Sequence, residues 1–408
     1  MKAVGVVVEY NPFHNGHLFH LQQAKEQTDA DLSIAAMSGN FLQRGEPALV
    51  SKWARTKMAL EAGVDIVFEL PYRFATQHAE TFAEGAVSIL SGAGCDTLCF
   101  GSESGDLESF TNTISFLEEN NDEFQEKIKF YTGEGYSYPK SIALSFHSLA
   151  PSESFIDISK PNNILGLHYI QAIIRQESSM KAETITRKNA GYHDEHFASA
   201  TIASATSIRK ALFGSAGEIE TIKQYVPETT YAQLINYRDQ YGEFHSWENY
   251  WPLLKYKLTQ SNPSELREFY EVEEGLENRL LAAASSSGSF QQFMESIKTK
   301  RYTWTRLQRV CLHILTNTRK DTMKTSQKTV NYLRLLGATE KGRSYLNSKK
   351  KDFSLPLVSK LSAFSDPDIE LDIKASKIYA LGQKDHGQEQ LLAEEFSRPP
   401  IMLKNSRQ

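Results

Sequence analysis

The sequence has few cysteines and no long apolar segment. Its three cysteines, Cys95, Cys99 and Cys311, are too few and too scattered for a disulfide framework. Cys95 and Cys99 follow the pattern CxxxC, but no second cysteine pair or nearby histidine completes a zinc set, so we expect small buried residues. No run approaches the ~20 apolar residues of a membrane span, and the apolar stretch at 3–8 is too short for a signal peptide. These absences predict a reducing, cytoplasmic location without a membrane partner.

The mild net charge of −5 hides a separation of charge along the chain. Residues 298–351 contain fifteen lysines and arginines against only Asp321 and Glu340, which makes this segment +13 within an otherwise acidic chain. A mildly negative net charge alone would argue against a polyanionic ligand. A basic segment that is separated from the acidic residues favours such a ligand.

The centre of the basic segment predicts a helix with a cationic face. In TRLQRVCLHILT, Arg306, Arg309 and His313 fall on one helical face and the apolar residues on another. Tyr302 and Trp304 just upstream are candidates for stacking on bases. We therefore predict RNA binding, with no DNA partner expected; the alternative is an acidic protein partner.

Short β-branched runs and helical patterns alternate through the first hundred residues. The pattern predicts strands at 3–8, 31–37, 64–70 and 96–101, and helices at 18–27, 51–63 and 78–90. Further along the chain it predicts a helix at 163–176 and a strand at 180–187. Ser51 is expected as the N-cap residue of the helix at 51–63, and Gly63 as the residue that ends it. This order predicts an α/β fold with an N-terminal Rossmann-like, doubly wound parallel sheet. Ligands bind such sheets at the carboxyl ends of the strands, where the polar loops EYNPFHNGH, SGNFLQRGEPA and FGSESGD should meet.

The chain is too long for one ordinary core, which predicts two domains. We place the first, α/β domain at 1–215 and a mainly helical, basic second domain at 216–408. The second part shows no strand–helix–strand alternation and no internal repeat.

The segment HNGH lies where the first strand gives way to a helix. A helix N-terminus presents free backbone N–H groups and the positive end of the helix dipole, so it attracts phosphate, and Gly16 lets a phosphate approach closely. His14 and His17 lie over the same turn and can donate hydrogen bonds to a phosphoryl group. The pattern therefore favours nucleotidyl transfer. A metal site that adds His20 is an alternative, but His20 lies off that face and no third ligand is evident; simple capping is the other alternative.

A second candidate phosphate clamp is ASATSIR, at a predicted helix start. Ser204, Thr206, Ser207 and Arg209 combine hydroxyls, backbone N–H groups and a cation. An ordinary helix cap with a solvent-exposed arginine is the alternative. Gln43 and Arg44 of the loop GNFLQRGEPA are further candidates for acid or phosphate contacts.

The two motifs together resemble the HxGH and (I/V)SSTxIR pair of the nucleotidyltransferase superfamily. The longer strings GVVVEYNPFHNGH, MSGNFLQRGEPA, FGSE, KPNNILG and RKNAGYHD are similar to those of bacterial tRNA(Met) cytidine acetate ligases, and KRYTWTRLQR resembles that family's second domain. The resemblance implies a nucleotidyltransferase-like, ATP-binding catalytic domain at 1–215 and a tRNA-binding domain at 216–408. It also implies an enzyme that forms acetyl-adenylate from acetate and ATP. The acetyl group then passes to N4 of the wobble cytidine of elongator tRNA(Met), which gives N4-acetylcytidine, AMP and pyrophosphate.

The resemblance also implies the site residues. ATP is expected to contact Val7, Val8, Glu9, Tyr10, Asn11, Pro12, Phe13, His14, Asn15, Gly16, His17, Leu18, Phe19, His20, Gly101, Asn162, Arg187, Lys188, Ser204 and Thr206. The catalytic candidates are His14, His17 and Arg209, and the tRNA-binding candidates are Arg301, Arg306, Arg309 and Lys320. Mg²⁺ is expected through the ATP phosphates, with no metal held by the protein alone.

One position departs from the superfamily pattern, because Ala205 replaces the middle serine of the second motif. The sequence also nominates no general base for acetyl transfer. Two other functions stay open: an adenylyltransferase for a small phosphorylated metabolite, with the helical domain for oligomerisation, and a non-catalytic ATP-sensing RNA-binding protein.

Overall fold

The computed structural model describes residues 1–149, 154–187, 201–214, 217–273, 275–323 and 328–404. Within these ranges, eight strands form one sheet. The strands are β1 (Ala3–Val8), β2 (Leu32–Ser38), β3 (Ile66–Leu70), β4 (Thr97–Ser102), β5 (Lys181–Thr186), β6 (Leu333–Thr339), β7 (Leu357–Val358) and β8 (Ile401–Leu403).

Helices cover both faces of the sheet and form most of the second half of the chain. The helices are α1 (Asn15–Thr28), α2 (Lys52–Glu61), α3 (Tyr72–Ala75), α4 (Ala79–Gly92), α5 (Leu107–Glu119), α6 (Asn121–Gly133), α7 (Tyr138–Leu149), α8 (Pro161–Arg175), α9 (Ala205–Leu212), α10 (Glu228–Tyr241), α11 (Trp247–Gln260), α12 (Pro263–Arg267), α13 (Leu276–Ser286), α14 (Phe290–Ile297), α15 (Trp304–Leu315), α16 (Lys320–Met323), α17 (Glu340–Lys349), α18 (Pro367–Ala380) and α19 (Asp385–Ser397). Short 3₁₀ helices occur at Ile219–Tyr225 and Leu361–Ala363.

The first five strands confirm the predicted doubly wound parallel sheet. Their order is β5-β4-β1-β2-β3, and every pairing among them is parallel. Residues of β2 and β3 are buried throughout, as expected where helices cover both faces. The strand order reverses between β1 and β4, and this switch point is where doubly wound sheets open a crevice for ligands.

The second half of the chain extends the same sheet, which the sequence pattern did not indicate. Strand β6 pairs antiparallel with β3, and β7 and β8 pair parallel with β6. One apolar cluster accordingly contains residues from both sides of position 215. The proposed division near 215 stays a prediction about domain organisation.

Several local expectations are confirmed. The Ser51 side chain caps α2 by accepting a hydrogen bond from the Ala54 N–H group, and Gly63 has the positive φ of +103° that ends the helix. Cys95, Cys99 and Cys311 are free and buried, which raises the pKa of each thiol. No helix in the described part of the chain is both long and apolar enough to cross a bilayer.

A buried cluster of four charges joins the sheet to the C-terminal helices. Lys52 Nζ lies 2.9 Å from Glu69 and 3.0 Å from Glu395. Arg334 lies 2.8 Å from Glu69 and 2.9 Å from Glu395, and no side chain of the four is more than 4% exposed. Burial alone would raise the pKa of Glu395, but Arg334 and Lys52 outweigh burial and lower it.

We predict that Glu395→Gln strongly destabilises the protein. The substitution keeps the shape but leaves two buried cations with a single carboxylate, and breaking a buried pair costs about 3–5 kcal/mol. Urea unfolding at pH 7 measures the change. The matched control is Glu389→Gln, at an exposed position on the same helix α19, which should change the free energy of unfolding by less than about 0.5 kcal/mol. Equal stability of the two variants would contradict the prediction.

Candidate active site

A cavity of about 290 Å³ opens at the carboxyl ends of β1, β4 and β5, at the switch point of the sheet. Sixteen of the predicted residues line it, namely Val7, Val8, Glu9, Tyr10, Asn11, His14, Gly16, His17, Phe19, His20, Gly101, Asn162, Arg187, Ser204, Thr206 and Arg209. Gln43 and Arg44 line it as well. The structure therefore brings both motifs to one site, while the role of each residue stays a prediction.

Four of the residues predicted to contact ATP do not line the cavity: Pro12, Phe13, Asn15 and Leu18. Phe13 is fully buried beneath the loop. The Asn15 amide donates at 2.9 Å to the Thr201 and Gln224 carbonyls, and so ties the start of α1 to the segments that flank α9. Lys188 lies outside the described residues.

The two histidines of HNGH form a capping box at the start of α1. His14 is the N-cap residue, and its Nδ1 accepts a hydrogen bond from the Gly16 N–H group at 3.0 Å. Nδ1 of His17 accepts from the His14 N–H group at 3.2 Å. The rings stack with centroids 3.6 Å apart. Each ring thus satisfies a backbone donor that the helix start would otherwise leave unpaired.

The capping contacts fix which nitrogen carries the proton. A neutral imidazole has one donor and one acceptor nitrogen, and Nδ1 accepts in both rings, so each proton is on Nε2. Burial, with the nearby Arg187 and Arg209, lowers the pKa of His14 to about 3. Burial, with His14, Arg187 and His20, lowers the pKa of His17 well below its ordinary value. Two neutral N–H donors therefore line the cavity at neutral pH.

His20 lines the cavity beside Gly101. A Cβ added to Gly101 would lie 3.7 Å from the His20 ring and 3.3 Å from the Arg187 side chain, so both side chains lie close to this strand end. Burial, helped by Arg187, lowers the pKa of His20 to about 4. In the described ranges, no group of three or more His, Cys, Asp or Glu residues could hold a metal ion.

Hydrogen bonds hold the loop between β1 and α1 in an irregular conformation. Tyr10 has a φ of +49°, and the Asn11–Pro12 peptide bond is cis. The Asn11 side chain accepts from the Leu49 N–H group at 2.7 Å. Arg209 donates to the Asn11 carbonyl at 2.9 Å and to the Glu46 carboxylate at 3.0 Å. The arginine of the second motif therefore supports the loop of the first.

Helix α9 begins at the second motif, as predicted. Ser204 is the N-cap residue, and its hydroxyl accepts from the Ser207 N–H group at 3.1 Å. The backbone of Ala205 and Thr206 forms the first turn, and both residues line the cavity. A second helix N-terminus thus lies at the site, which suits an anionic ligand.

The strings FGSE and KPNN meet at the far side of the cavity. The Glu103 carboxylate accepts from the Asn162 side chain at 2.7 Å and from the Asn163 N–H group at 2.8 Å, at the start of α8. The Asn163 side chain accepts in return from the Glu103 N–H group at 3.0 Å. These reciprocal contacts fix Asn162 at the cavity wall.

Sequence reasoning missed the apolar wall of the cavity and Glu46. The apolar wall consists of Phe82, Phe100, Leu165, Tyr169 and Ile185. These residues belong to ordinary core patterns of helices and strands, so no local signal distinguishes them.

The expected cationic face of α15 is wrong at two positions. Arg309 is only 7% exposed and His313 is fully buried. The Arg309 guanidinium lies 3.1 Å from Glu271, and the His313 ring lies 3.1 Å from the Tyr72 hydroxyl. Neighbouring segments cover both sides of α15, so helical periodicity alone could not identify an outer face. The buried ion pair of Arg309 favours a structural role over RNA contact.

The other predicted cations are more accessible. Arg301 is exposed, whereas Arg306 and Lys320 are half-buried. The Arg306 guanidinium lies 5.0 Å above the centre of the Tyr302 ring and 3.8 Å from Glu273. Tyr302 itself is only 5% exposed, so it packs in the structure and does not offer a free face for a base.

The fold and the site define a nucleotidyltransferase. A family model described as HIGH Nucleotidyl Transferase matches residues 1–394. Relatives named tRNA(Met) cytidine acetate ligase include those of Bacillus licheniformis, 51% identical over 98% of this chain and 97% of the relative, and of Bacillus subtilis, 49% identical with the same coverage. The chain therefore belongs to the tRNA(Met) cytidine acetate ligase family of enzymes.

Two solved structures share the fold. The apo crystal structure of Thermotoga maritima TmcAL has a TM-score of 0.91 and 35% identity, over 99% of this chain and 100% of that one. A second crystal form of TmcAL, bound with alpha-thio ATP, has a TM-score of 0.90 and 34% identity with the same coverage.

We predict that the free energy of unfolding falls less on acidification in His14→Asn than in the wild type. Unfolded histidine binds a proton below about pH 6.5, whereas folded His14 resists protonation down to about pH 3. Its neutral form therefore stabilises the fold above the unfolded pKa, and this contribution is lost as the pH falls between the two values. Asparagine keeps an N-cap acceptor but does not titrate.

Urea unfolding at pH 7 and pH 5 measures this effect. The loss of stability between these values should be smaller in His14→Asn than in the wild type by about 2 kcal/mol. His147→Asn, at an exposed position on α7, is the matched control and should follow the wild type. A wild-type acid response in His14→Asn would contradict the assigned neutral state.

Proposed function

We propose that this chain activates acetate with ATP and acetylates N4 of the wobble cytidine in elongator tRNA(Met). The products are N4-acetylcytidine, AMP and pyrophosphate. The observation that carries the proposal is the pair of neutral Nε2–H donors of His14 and His17 at a helix N-terminus. The names of the relatives and the ATP analogue bound to the Thermotoga protein support it.

The first step of the proposal is adenylyl transfer. An acetate oxygen attacks the α-phosphorus of ATP, the bond from that phosphorus to the bridging oxygen breaks, and pyrophosphate leaves. The histidine Nε2–H groups donate to phosphoryl oxygens as charge builds on them. Arg209 and the N-termini of α1 and α9 stabilise the same negative charge.

Mg²⁺ enters the proposal as the ion that accompanies the ATP phosphates and neutralises part of their charge. Among the described residues, only two carboxylates line the cavity, those of Glu9 and Glu46, and Glu46 pairs with Arg209. The phosphates would therefore supply most of the ligands of this ion.

The second step of the proposal is acetyl transfer to the tRNA. The exocyclic amine of cytosine is a weak nucleophile, because its lone pair is delocalised into the ring. Acetyl-adenylate compensates as a mixed anhydride that releases AMP, a good leaving group. The amine forms a bond to the carbonyl carbon, and the carbon–oxygen bond to AMP breaks.

We expect ATP–pyrophosphate exchange that depends on acetate and needs no tRNA. The assay mixes the protein, ATP, Mg²⁺ and labelled pyrophosphate with acetate, with a panel of other carboxylic acids, or with phosphate esters. Exchange that requires a phosphate ester would favour the alternative, an adenylyltransferase for a small phosphorylated metabolite. Absence of exchange with every acid would refute the proposal.

His17→Ala is the variant for this assay. It removes one Nε2–H donor from the phosphate site, and loss of a donor of this kind costs about 10²–10³ in rate. ATP binding should persist, because Arg209 and the backbone N–H groups remain. Near-normal exchange would argue against a transition-state role for His17.

The tRNA is proposed to bind the accessible cations of the basic segment. Of the four predicted candidates, Arg309 is buried in an ion pair, so Arg301, Arg306 and Lys320 are the better ones. Their attraction to phosphates should be sequence-independent and should weaken as the salt concentration rises, because binding releases counterions from the RNA.

We predict that Arg306→Ala weakens tRNA binding and makes it less dependent on salt. Loss of one phosphate contact should lower the slope of log affinity against log salt by about one. Filter binding or fluorescence anisotropy across a salt series measures the slope. Lys129→Ala, at an exposed site on α6 outside the basic segment, is the control and should not alter it. Identical slopes for both variants would exclude Arg306 from the tRNA contact.

A further inference from the structure

Acetyl transfer as proposed above requires a proton acceptor. When the cytosine N4 bonds to the acetyl carbon, the nitrogen becomes positively charged and must lose a proton before AMP departs. A positioned base contributes about 10²–10⁴ to such a step. The search for this base rests on the proposed function and is confined to the groups that line the cavity.

Most titratable groups at the cavity are unsuited to this role. His14 and His17 use Nδ1 in capping contacts and carry the proton on Nε2, so they donate. Burial keeps the pKa of His20 near 4, and burial raises the pKa of the Tyr10 hydroxyl. Arg187 and Arg209 are cations without a basic lone pair.

Two carboxylates remain among the described residues that line the cavity, those of Glu9 and Glu46. Glu46 forms an ion pair with Arg209 at 3.0 Å. This pair holds the carboxylate to the guanidinium that supports the Asn11 carbonyl. Glu46 is therefore committed to this ion pair and positions Arg209.

Glu9 lies directly after β1, at the switch point of the sheet. Its Oε1 accepts from the Gln43 N–H group at 2.7 Å, which fixes the carboxylate at the cavity wall. Arg55 donates to the Glu9 carbonyl at 2.6 Å, which fixes the backbone of the same residue. A carboxylate has about four lone-pair positions, so one backbone contact leaves the group able to accept a proton.

We propose that Glu9 is the general base of acetyl transfer. In this step the N4 lone pair forms a bond to the carbonyl carbon of acetyl-adenylate, and Glu9 takes a proton from N4. The carbon–oxygen bond to the phosphate then breaks, and AMP leaves with the electron pair. Glu9 passes its proton to water, so the step yields N4-acetylcytidine, AMP and one proton.

The surroundings of Glu9 adjust its basicity. Burial raises its pKa, and Glu46 adds to this effect, while the Gln43 N–H group, Arg44 and Arg55 oppose it. Tyr169 of α8 also faces Glu9, and the two groups would repel each other if the tyrosine were ionised. A carboxylate with a raised pKa binds a proton more readily in the transition state.

The test separates the two half-reactions in Glu9→Gln. Glutamine keeps an oxygen that can accept from the Gln43 N–H group but loses basicity. Acetate-dependent ATP–pyrophosphate exchange measures the first step. Rapid mixing of the enzyme with synthetic acetyl-adenylate and tRNA measures the second step, whatever the state of the first. We expect transfer to fall at least a hundredfold in Glu9→Gln and exchange to fall less than tenfold.

Glu46→Gln is the matched control, because it makes the same change at the neighbouring carboxylate. Release of Arg209 should impair exchange more than transfer, the reverse of the pattern for Glu9→Gln. The wild-type transfer rate should rise with pH through the pKa of Glu9 and then level off, and Glu9→Gln should lack this acidic limb.

The outcomes distinguish an error in the assignment of Glu9 from an error in the proposed function. Near-normal transfer in Glu9→Gln, or an equal loss of both steps, would overturn the assignment of the base. Failure of the wild type to acetylate tRNA from synthetic acetyl-adenylate would instead refute the proposed function.

Discussion

A single buried guanidinium, that of Arg55, holds together the carboxyl ends of β1 and β2. It donates to the carbonyls of Glu9 at 2.6 Å, Ser38 at 3.1 Å and Val50 at 3.2 Å, and also to Gly39. Burial lowers its pKa to about 10, so it keeps its charge at neutral pH. Carbonyl groups beyond the ends of the strands have no partner in the sheet. One planar guanidinium donates hydrogen bonds to four of them. The loop that leads from β1 to His14 and His17 begins at the Glu9 carbonyl, which Arg55 holds in place.

The loop at residues 39–50 depends on the second half of the chain. The Trp247 indole donates to the Gly45 carbonyl at 3.0 Å, and the Tyr379 hydroxyl donates to the Ala48 carbonyl at 2.8 Å. Gly45 has a φ of +77° and lies so close to the Arg309 backbone that an added Cβ would overlap it. Gln43, Arg44 and Glu46 therefore reach the cavity on a loop that the helical half holds in place, so a change among these helices can alter the site.

Local sequence patterns predicted the parallel sheet and the two motifs because each depends on neighbours in the chain. The strand runs, the Ser51 cap and the spacing of His14 and His17 are signals of this kind. The pairing of β6 with β3 and the burial of Arg309 depend on partners far along the chain, such as Glu271, and periodicity carries no information about them. The apolar wall of the cavity was not predicted, because no local signal distinguishes its residues from other core residues.

The geometry of α1 also explains the form of the motif HNGH. A capping box requires side-chain acceptors at the N-cap and N3 positions, and these positions are three residues apart, as His14 and His17 are. An added Cβ at Gly16 would lie 2.9 Å from the His14 ring and displace it, which accounts for the glycine between them. Because each Nδ1 accepts a backbone hydrogen bond, each Nε2 must donate. The contacts that begin the helix thus also set the protonation state that the proposed phosphate site needs. The two histidines do not have to be cations, a state that burial beside Arg187 and Arg209 disfavours for His14.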